Sequence, residues 1–288
     1  MLPKNILKPT KRVLLATTAL AMTASLAAAE VSLSGRAGAG VLSNNTDSEV
    51  WSGMDIAISA SVTTDGGMTL SVGDDIGGGK IADYADKELD SQAGDIGTPG
   101  VKVSMGGTTV SFDNQAIDDL YDDDQNGDIG VSTSMGGASI ALTYDTEAAA
   151  GKPQMSYSAS GAMGAISVGV VGTDANDNGK SAYKVSASMG LGDATVSASA
   201  DMVDGDDAVT EFGVGYTMGD VSLSYSADNQ EDWNASVSYS AGNMTVSYAT
   251  DEEDAYEIDA SVSMGGGVSV HAATDSNDTM ILGVGFTF

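Results

Sequence analysis

The chain has a single histidine, His271, in the stretch VSVHAATD, together with many serines and aspartates and no cysteine. A Ser–His–Asp hydrolase needs its histidine held between a nucleophile and an orienting carboxylate, an arrangement recognised by geometry and roles. No G-x-S-x-G element marks one serine for that role, no Walker loop offers a phosphate cradle, and zinc finds no thiolate. These residues point away from an enzyme. The other concentration of chemistry is acidic: NQAIDDLYDDDQNG (114–127) contains Asp118, Asp119, Asp122, Asp123 and Asp124. Within it, Asp122, Asp124 and Asn126 stand at alternate positions before a glycine, the opening order of an EF-hand loop and a set of hard oxygen ligands suited to Ca2+. DANDNGK (174–180) is ordered similarly. The twelfth positions of the two loops are Thr133 and Val185 where an EF-hand has its bidentate Glu, and Asn/Gly turns also form without metal. A structural Ca2+ at the first loop is thus an expectation with an incomplete ligand set, and no other cofactor is expected.

The charge balance narrows the partners. Eleven basic residues face 41 acidic ones, for a net charge of −30. Binding to nucleic acid relies on Lys and Arg neutralising phosphates, so a nucleic-acid partner is not expected. Four of the basic residues, Lys4, Lys8, Lys11 and Arg12, precede an uncharged apolar run, VLLATTALAMTASL (13–26), and Ala27-Ala28-Ala29 follows. This is the order of a secretory signal peptide, with cleavage expected after Ala29. The apolar run of 14 residues is shorter than the roughly 20 that a membrane-spanning helix needs. Residues 1–29 are read as the signal peptide and 30–288 as the mature protein, of net charge −34.

The elements that must position the acidic loop are strands. Apolar and polar residues alternate: in WNASVSYSA (233–241), Trp233, Ala235, Val237, Tyr239 and Ala241 share one face, with Asn234 and three serines on the other. VSLSYSA (221–227) and YEIDASVSM (256–264) repeat the pattern. A period of two belongs to a strand with unlike faces. Between the runs lie glycine turns at 65–68, 105–107, 135–137, 163–164, 189–190, 218–219, 241–244 and 264–267, as hairpins require. Eight turns, with one strand before and one after, give about 18 strands, the rhythm being interrupted by the long connection 74–97.

Short glycine turns alternate with longer acidic connections such as SNNTDSE (43–49), TDANDNGK (173–180) and DEEDA (251–255). Short turns at one end and long polar loops at the other mark an outer-membrane barrel. The expected fold class is all-β, a transmembrane antiparallel up-and-down β-barrel of 16–18 strands. An even count puts both termini on the short-turn, periplasmic side. Closure is compulsory, since an open edge would leave backbone groups unpaired in hydrocarbon. Lipid would face the apolar side, and Trp51, Tyr183, Phe212, Trp233 and Tyr256 are expected there near the loop ends, as an interfacial belt. A soluble β-sandwich with the apolar face inside is the competing arrangement.

AEVSLSGRAGAGV (29–41), VKVSMGGTTVSFDNQAIDDLYDDD (101–124) and the terminal ILGVGFTF (281–288) resemble the opening strand, the hairpin with constriction loop and the closing strand of Rhodobacter-type general porins. The resemblance covers nearly the whole mature chain at the level of architecture. It implies trimers of 16-stranded barrels in a Gram-negative outer membrane, passing small hydrophilic solutes. It also implies that a loop near 114–127 folds into the barrel as the pore constriction, with Asp118, Asp119, Asp122, Asp123 and Asp124 lining it. The alternative is a solvated acidic surface loop.

Alternation places Arg36, Lys102 and Lys184 on the polar face, where they would oppose the acidic loop across the lumen or pair with nearby acids. Asp55, Asp201, Glu211, Asp232, Glu257 and Asp259 fall on the same face, so cation preference is expected. Outer-membrane lipid and the assembly machinery are the expected partners, the latter reading Phe286 and Phe288 at the aromatic terminus. A secreted Ca2+-dependent adhesin or surface-layer protein is a further reading, and G-G-x-G-x-D nonapeptides, its mark, are absent from the sequence. A non-conducting structural barrel is the third.

Overall fold

The structure, a computed structural model, describes residues 29–92, 94–121, 126–148, 154–176 and 179–288. Of the signal peptide read at 1–29, residues 1–28 lie outside these residues.

The described residues form nineteen strands in order: β1 (Glu30–Ser43), β2 (Ser48–Thr63), β3 (Thr69–Asp83), β4 (Glu88–Ser91), β5 (Gly100–Met105), β6 (Thr108–Asp118), β7 (Asn126–Met135), β8 (Ala138–Tyr144), β9 (Met155–Met163) and β10 (Ile166–Thr173). There follow β11 (Ala182–Leu191), β12 (Ala194–Val203), β13 (Val209–Met218), β14 (Val221–Asp228), β15 (Trp233–Ala241), β16 (Met244–Asp251), β17 (Tyr256–Gly265), β18 (Val268–Asp275) and β19 (Met280–Thr287). Each ring strand pairs antiparallel with its chain neighbours, β3 pairs with β5, and β19 returns to β1. Among the described strands β4 alone stands outside the ring, paired with the end of β3. The result is a closed barrel of 18 strands, two more than the resemblance implies.

The hairpin turns follow from backbone chemistry. Gly106 and Gly107 adopt φ of +61° and +83°, the left-handed pair that joins twisted strands in two residues. One expected turn is displaced. Met189 and Gly190 are strand residues, in register with Val196 and Thr195, and the reversal occurs at Gly192, whose φ is +68°. The alternation runs on through Leu191, and the glycine after it supplies the turn.

The faces are inverted relative to a soluble sandwich. Val237, Tyr239, Val246, Tyr248, Ile258, Val270, Leu282 and Val284 all point outward and remain exposed. Among the described residues nothing covers this band, which rules out the sandwich arrangement, whose apolar face would be packed. Around it, Tyr225 stacks on Trp233 (6.3 Å) and Tyr248 on Tyr256 (6.5 Å), and Phe212 and Tyr183 are exposed beside the loops.

Trp51 departs from the expected belt. It points into the barrel, is 3% exposed, and packs with Ala82, Ala273 and Ile281. Its ring occupies space left by glycines: a Cβ on Gly40 would lie 2.7 Å from Trp51 Cζ2 and one on Gly38 3.1 Å from Cζ3. The alternation that turns Asp55 inward turns Trp51 inward as well, four residues earlier on β2.

Candidate functional site

The inner face is lined by small hydroxyl-bearing side chains. Cross-strand hydroxyls bond one another, as between Ser32 and Ser59 (2.6 Å) and between Ser224 and Ser236 (2.6 Å). Short hydroxyl side chains leave room for water and supply hydrogen bonds without charge. A concavity of about 370 Å3 on the inner wall is lined by Ser186, Ser188, Ser197, Ser199, Lys184 and Glu211.

The three basic residues do point inward, but they are not gathered at one place. Arg36 is on β1, Lys102 three ring strands on at β5, and Lys184 six strands farther at β11. At a spacing of about 4.8 Å per strand, the first two are roughly 14 Å apart around the wall. Each has acids close by. Arg36 Nε is 3.5 Å from Asp55 Oδ2, its direct cross-strand neighbour. Lys102 shares a concavity with Asp75 and Asp113, and Lys184 stands in register with Asp201. Glu211, Glu257 and Asp259 also face the lumen, and Asp232 lies at its loop end beside Asp251 and Glu252.

The acidic loop leaves the wall at a large bulge. β6 and β7 are in register at Phe112 and Ile129, then resume at Ile117 and Gly127, so four residues of one strand face a single residue, Asp128, of the other. Gln115 turns the corner at φ +56°. Its N–H donates to Asp128 Oδ1 (3.0 Å), and its side-chain amide donates to Asp145 Oδ1 (2.8 Å). Asp128 Oδ2 in turn accepts the N–H of Thr146 (2.8 Å) and its hydroxyl. The loop then runs along the inside of the barrel. The N–H of Leu120 donates to Ser156 Oγ on β9 (2.9 Å), and the Tyr121 hydroxyl donates to Asp201 Oδ1 on β12 (2.6 Å). Asp118 is exposed and Asp119 is buried, accepting from the N–H of Tyr121 (2.7 Å). Asp122, Asp123 and Asp124 lie outside the described residues, and Asn126 opens β7. Lys184 belongs to the wall that the loop leans on and so does not face it across the lumen.

A second segment also enters the barrel, one that no motif in the sequence marks. The end of β3 and the whole of β4 form a hairpin, Lys80–Ser91. Tyr84 at its tip stacks on His271 at 4.7 Å, and Lys87 Nζ lies 3.1 Å from Glu257 Oε2 on β17. His271 is thereby committed to packing, with a further hydrogen bond to Ser269 Oγ (2.8 Å).

A closed ring with an apolar exterior, a hydroxyl-lined interior and inward-folded loops is a pore architecture. A family model for Gram-negative porins matches residues 16–287. The chain belongs to the Gram-negative porin family. Among solved structures, this porin resembles an engineered variant of the Rh. blastica porin at 16% identity and a TM-score of 0.54, covering 90% of this chain and 100% of that one. A second engineered variant of the Rh. blastica porin gives 17% and 0.53, with the same coverage. A porin refined at 1.8 Å resolution gives 18% and 0.52, again over 90% and 100%. At such identities the likeness is one of fold. A comparison with curated proteins finds no match. Within this porin the closing seam is set by backbone geometry: the N–H of Gly35 donates to the carbonyl of Phe288, and the N–H of Phe288 to that of Gly35, both at 3.0 Å. Phe286 and Phe288 lie on the outer face with ring centroids 5.7 Å apart.

Proposed function

We propose that the protein is an outer-membrane diffusion channel through which small hydrophilic solutes and ions pass down their gradients, with a preference for cations. One observation carries this reading: the sheet is closed with its apolar side outward and its serines inward, so its stable surroundings are lipid outside and water inside. Membership of the porin family supports the location and the passive mode of transport. Cation preference follows from the wall. Arg36 is paired with Asp55, Lys102 shares a concavity with Asp75 and Asp113, Lys184 stands in register with Asp201 and Lys87 lies against Glu257, while Glu211 and Asp259 add further negative charge. Fixed charges of one sign at close quarters favour the opposite ion.

The acidic segment at Asp118 and Asp119 narrows this channel, and three barrels assemble through their outer faces, as the resemblance to Rhodobacter-type porins implies. Liposome swelling tests the diffusion reading. Vesicles containing the folded protein should swell in an isotonic pentose or hexose and not in a large oligosaccharide. Swelling no faster than in protein-free vesicles would favour a barrel that does not conduct.

A further inference from the structure

The hairpin Lys80–Ser91 is anchored by every kind of contact available to it. Its apolar underside puts Ala82 against Trp51, Ala273 and Ile281, with Leu89 packed at the edge. Tyr84 stacks on His271, and at the tip Asp83 Oδ1 accepts the N–H groups of Ala85 (2.8 Å) and Asp86 (3.2 Å). Both of its cations bind wall carboxylates: Lys80 Nζ is 2.8 Å from Glu49 Oε1, and Lys87 Nζ, on a side chain that is almost fully buried, is 3.1 Å from Glu257 Oε2. The consequence is a sorting of charge. The lysines face the wall and are neutralised, whereas Asp86 and Glu88 face open water.

The placement is as informative as the charge. The hairpin rests on β17, β18, β19, β1 and β2, a stretch of wall centred on β19. The acidic loop rests on β9 to β12. In a ring of 18 strands these two stretches are about nine strands apart, which is half the circumference. Two inward segments thus rest on opposite sides of the ring, one exposing Asp86 and Glu88 and the other Asp118.

We propose that the Lys80–Ser91 hairpin is the second jaw of the constriction, and that Asp86 and Glu88 are specificity-determining residues that admit hydrated cations and turn back anions. Tyr84 and Lys87 are positioning residues that hold the jaw against the wall. This rests on the channel reading and extends it to a segment with no assigned role.

The absence of cysteine makes the test direct. Asp86→Cys, folded and inserted in a planar bilayer, is exposed to a cationic or an anionic methanethiosulfonate, with labelling checked by mass. Modification should reduce the current through each open channel, and the cationic adduct should shift the reversal potential in a KCl gradient towards that of chloride, the anionic adduct restoring the potassium side. Glu88→Gln, which involves no thiol chemistry, should lower the potassium-to-chloride permeability ratio while the barrel keeps its heat-modifiable mobility. Complete labelling with unchanged current and reversal potential, or refusal of the reagent by the folded barrel, would overturn the second jaw. A wild-type protein that folds and inserts but passes no current would contradict the channel reading itself, a separately recognisable result.

Discussion

At the scale of single residues, the interior is shaped by exchange of bulk between neighbours. Gly40 lies across from both Trp51 and Gly283, and the indole fills what three glycines leave open. A methyl group on Gly40 would come 2.7 Å from the Gly283 Cα as well as from the indole, so something must shift. Gly40→Ala should lower stability by about 1–3 kcal/mol, the usual cost of overpacking, read as an earlier loss of heat-modifiable mobility on warming. In the loop before β15, partial desolvation together with the neighbouring Asp228 and Glu252 pushes the Asp232 carboxyl up. A raised carboxyl pKa means that the folded state binds the proton more tightly than the unfolded one, so stability is lost as pH rises through that range. Asp232→Asn should therefore be more stable than the wild type at pH 7, and the difference should vanish below about pH 4, where the unfolded carboxyl is also protonated. Unfolding midpoints at the two pH values check this. The inward position of Trp51 was legible in the sequence, because Asp55 is four residues away and shares its face. The preference of tryptophan for membrane interfaces competed with the alternation, and the packing space opposite, built from β1 and β19, is invisible in a local stretch.

At the scale of elements, the period of two and the spacing of glycine turns suffice for the up-and-down barrel and bracket its 18 strands within an expectation of 16–18. Both are local properties, and hairpins join neighbours in the chain. The Met189–Gly190 turn was misplaced by about two residues because two glycines stand close together and only one adopts a positive φ. The hairpin of β3 and β4 could not be anticipated, since its anchors, His271, Glu257 and Glu49, are scattered through the sequence. The path of the acidic loop was carried by resemblance, and its ties to Ser156 and Asp201 are likewise long-range. The closing strand makes a further prediction. Phe288 completes the last pair of backbone hydrogen bonds, to Gly35, and presents its ring to the outer face. Phe288→Ala, or a charged tag added after it, should reduce the yield of folded protein in the outer membrane. The fraction that is heat-modifiable in isolated outer membranes measures this, and an undiminished yield would remove the terminus from any role in assembly.

At the scale of the whole molecule, the features combine into one physical statement: this is a sheet turned inside out. Its closed ring satisfies the backbone, its exposed apolar band requires lipid, and its hydroxyl-lined interior requires water. Acidic residues outnumber basic ones along the inner wall, and two inward segments rest on opposite sides of the ring. The most direct test is electrical. Purified folded protein added to a planar bilayer should insert in discrete conductance steps, and under a KCl gradient the current should reverse at a potential on the potassium side of zero. Insertion without current, or reversal on the chloride side, would contradict the account.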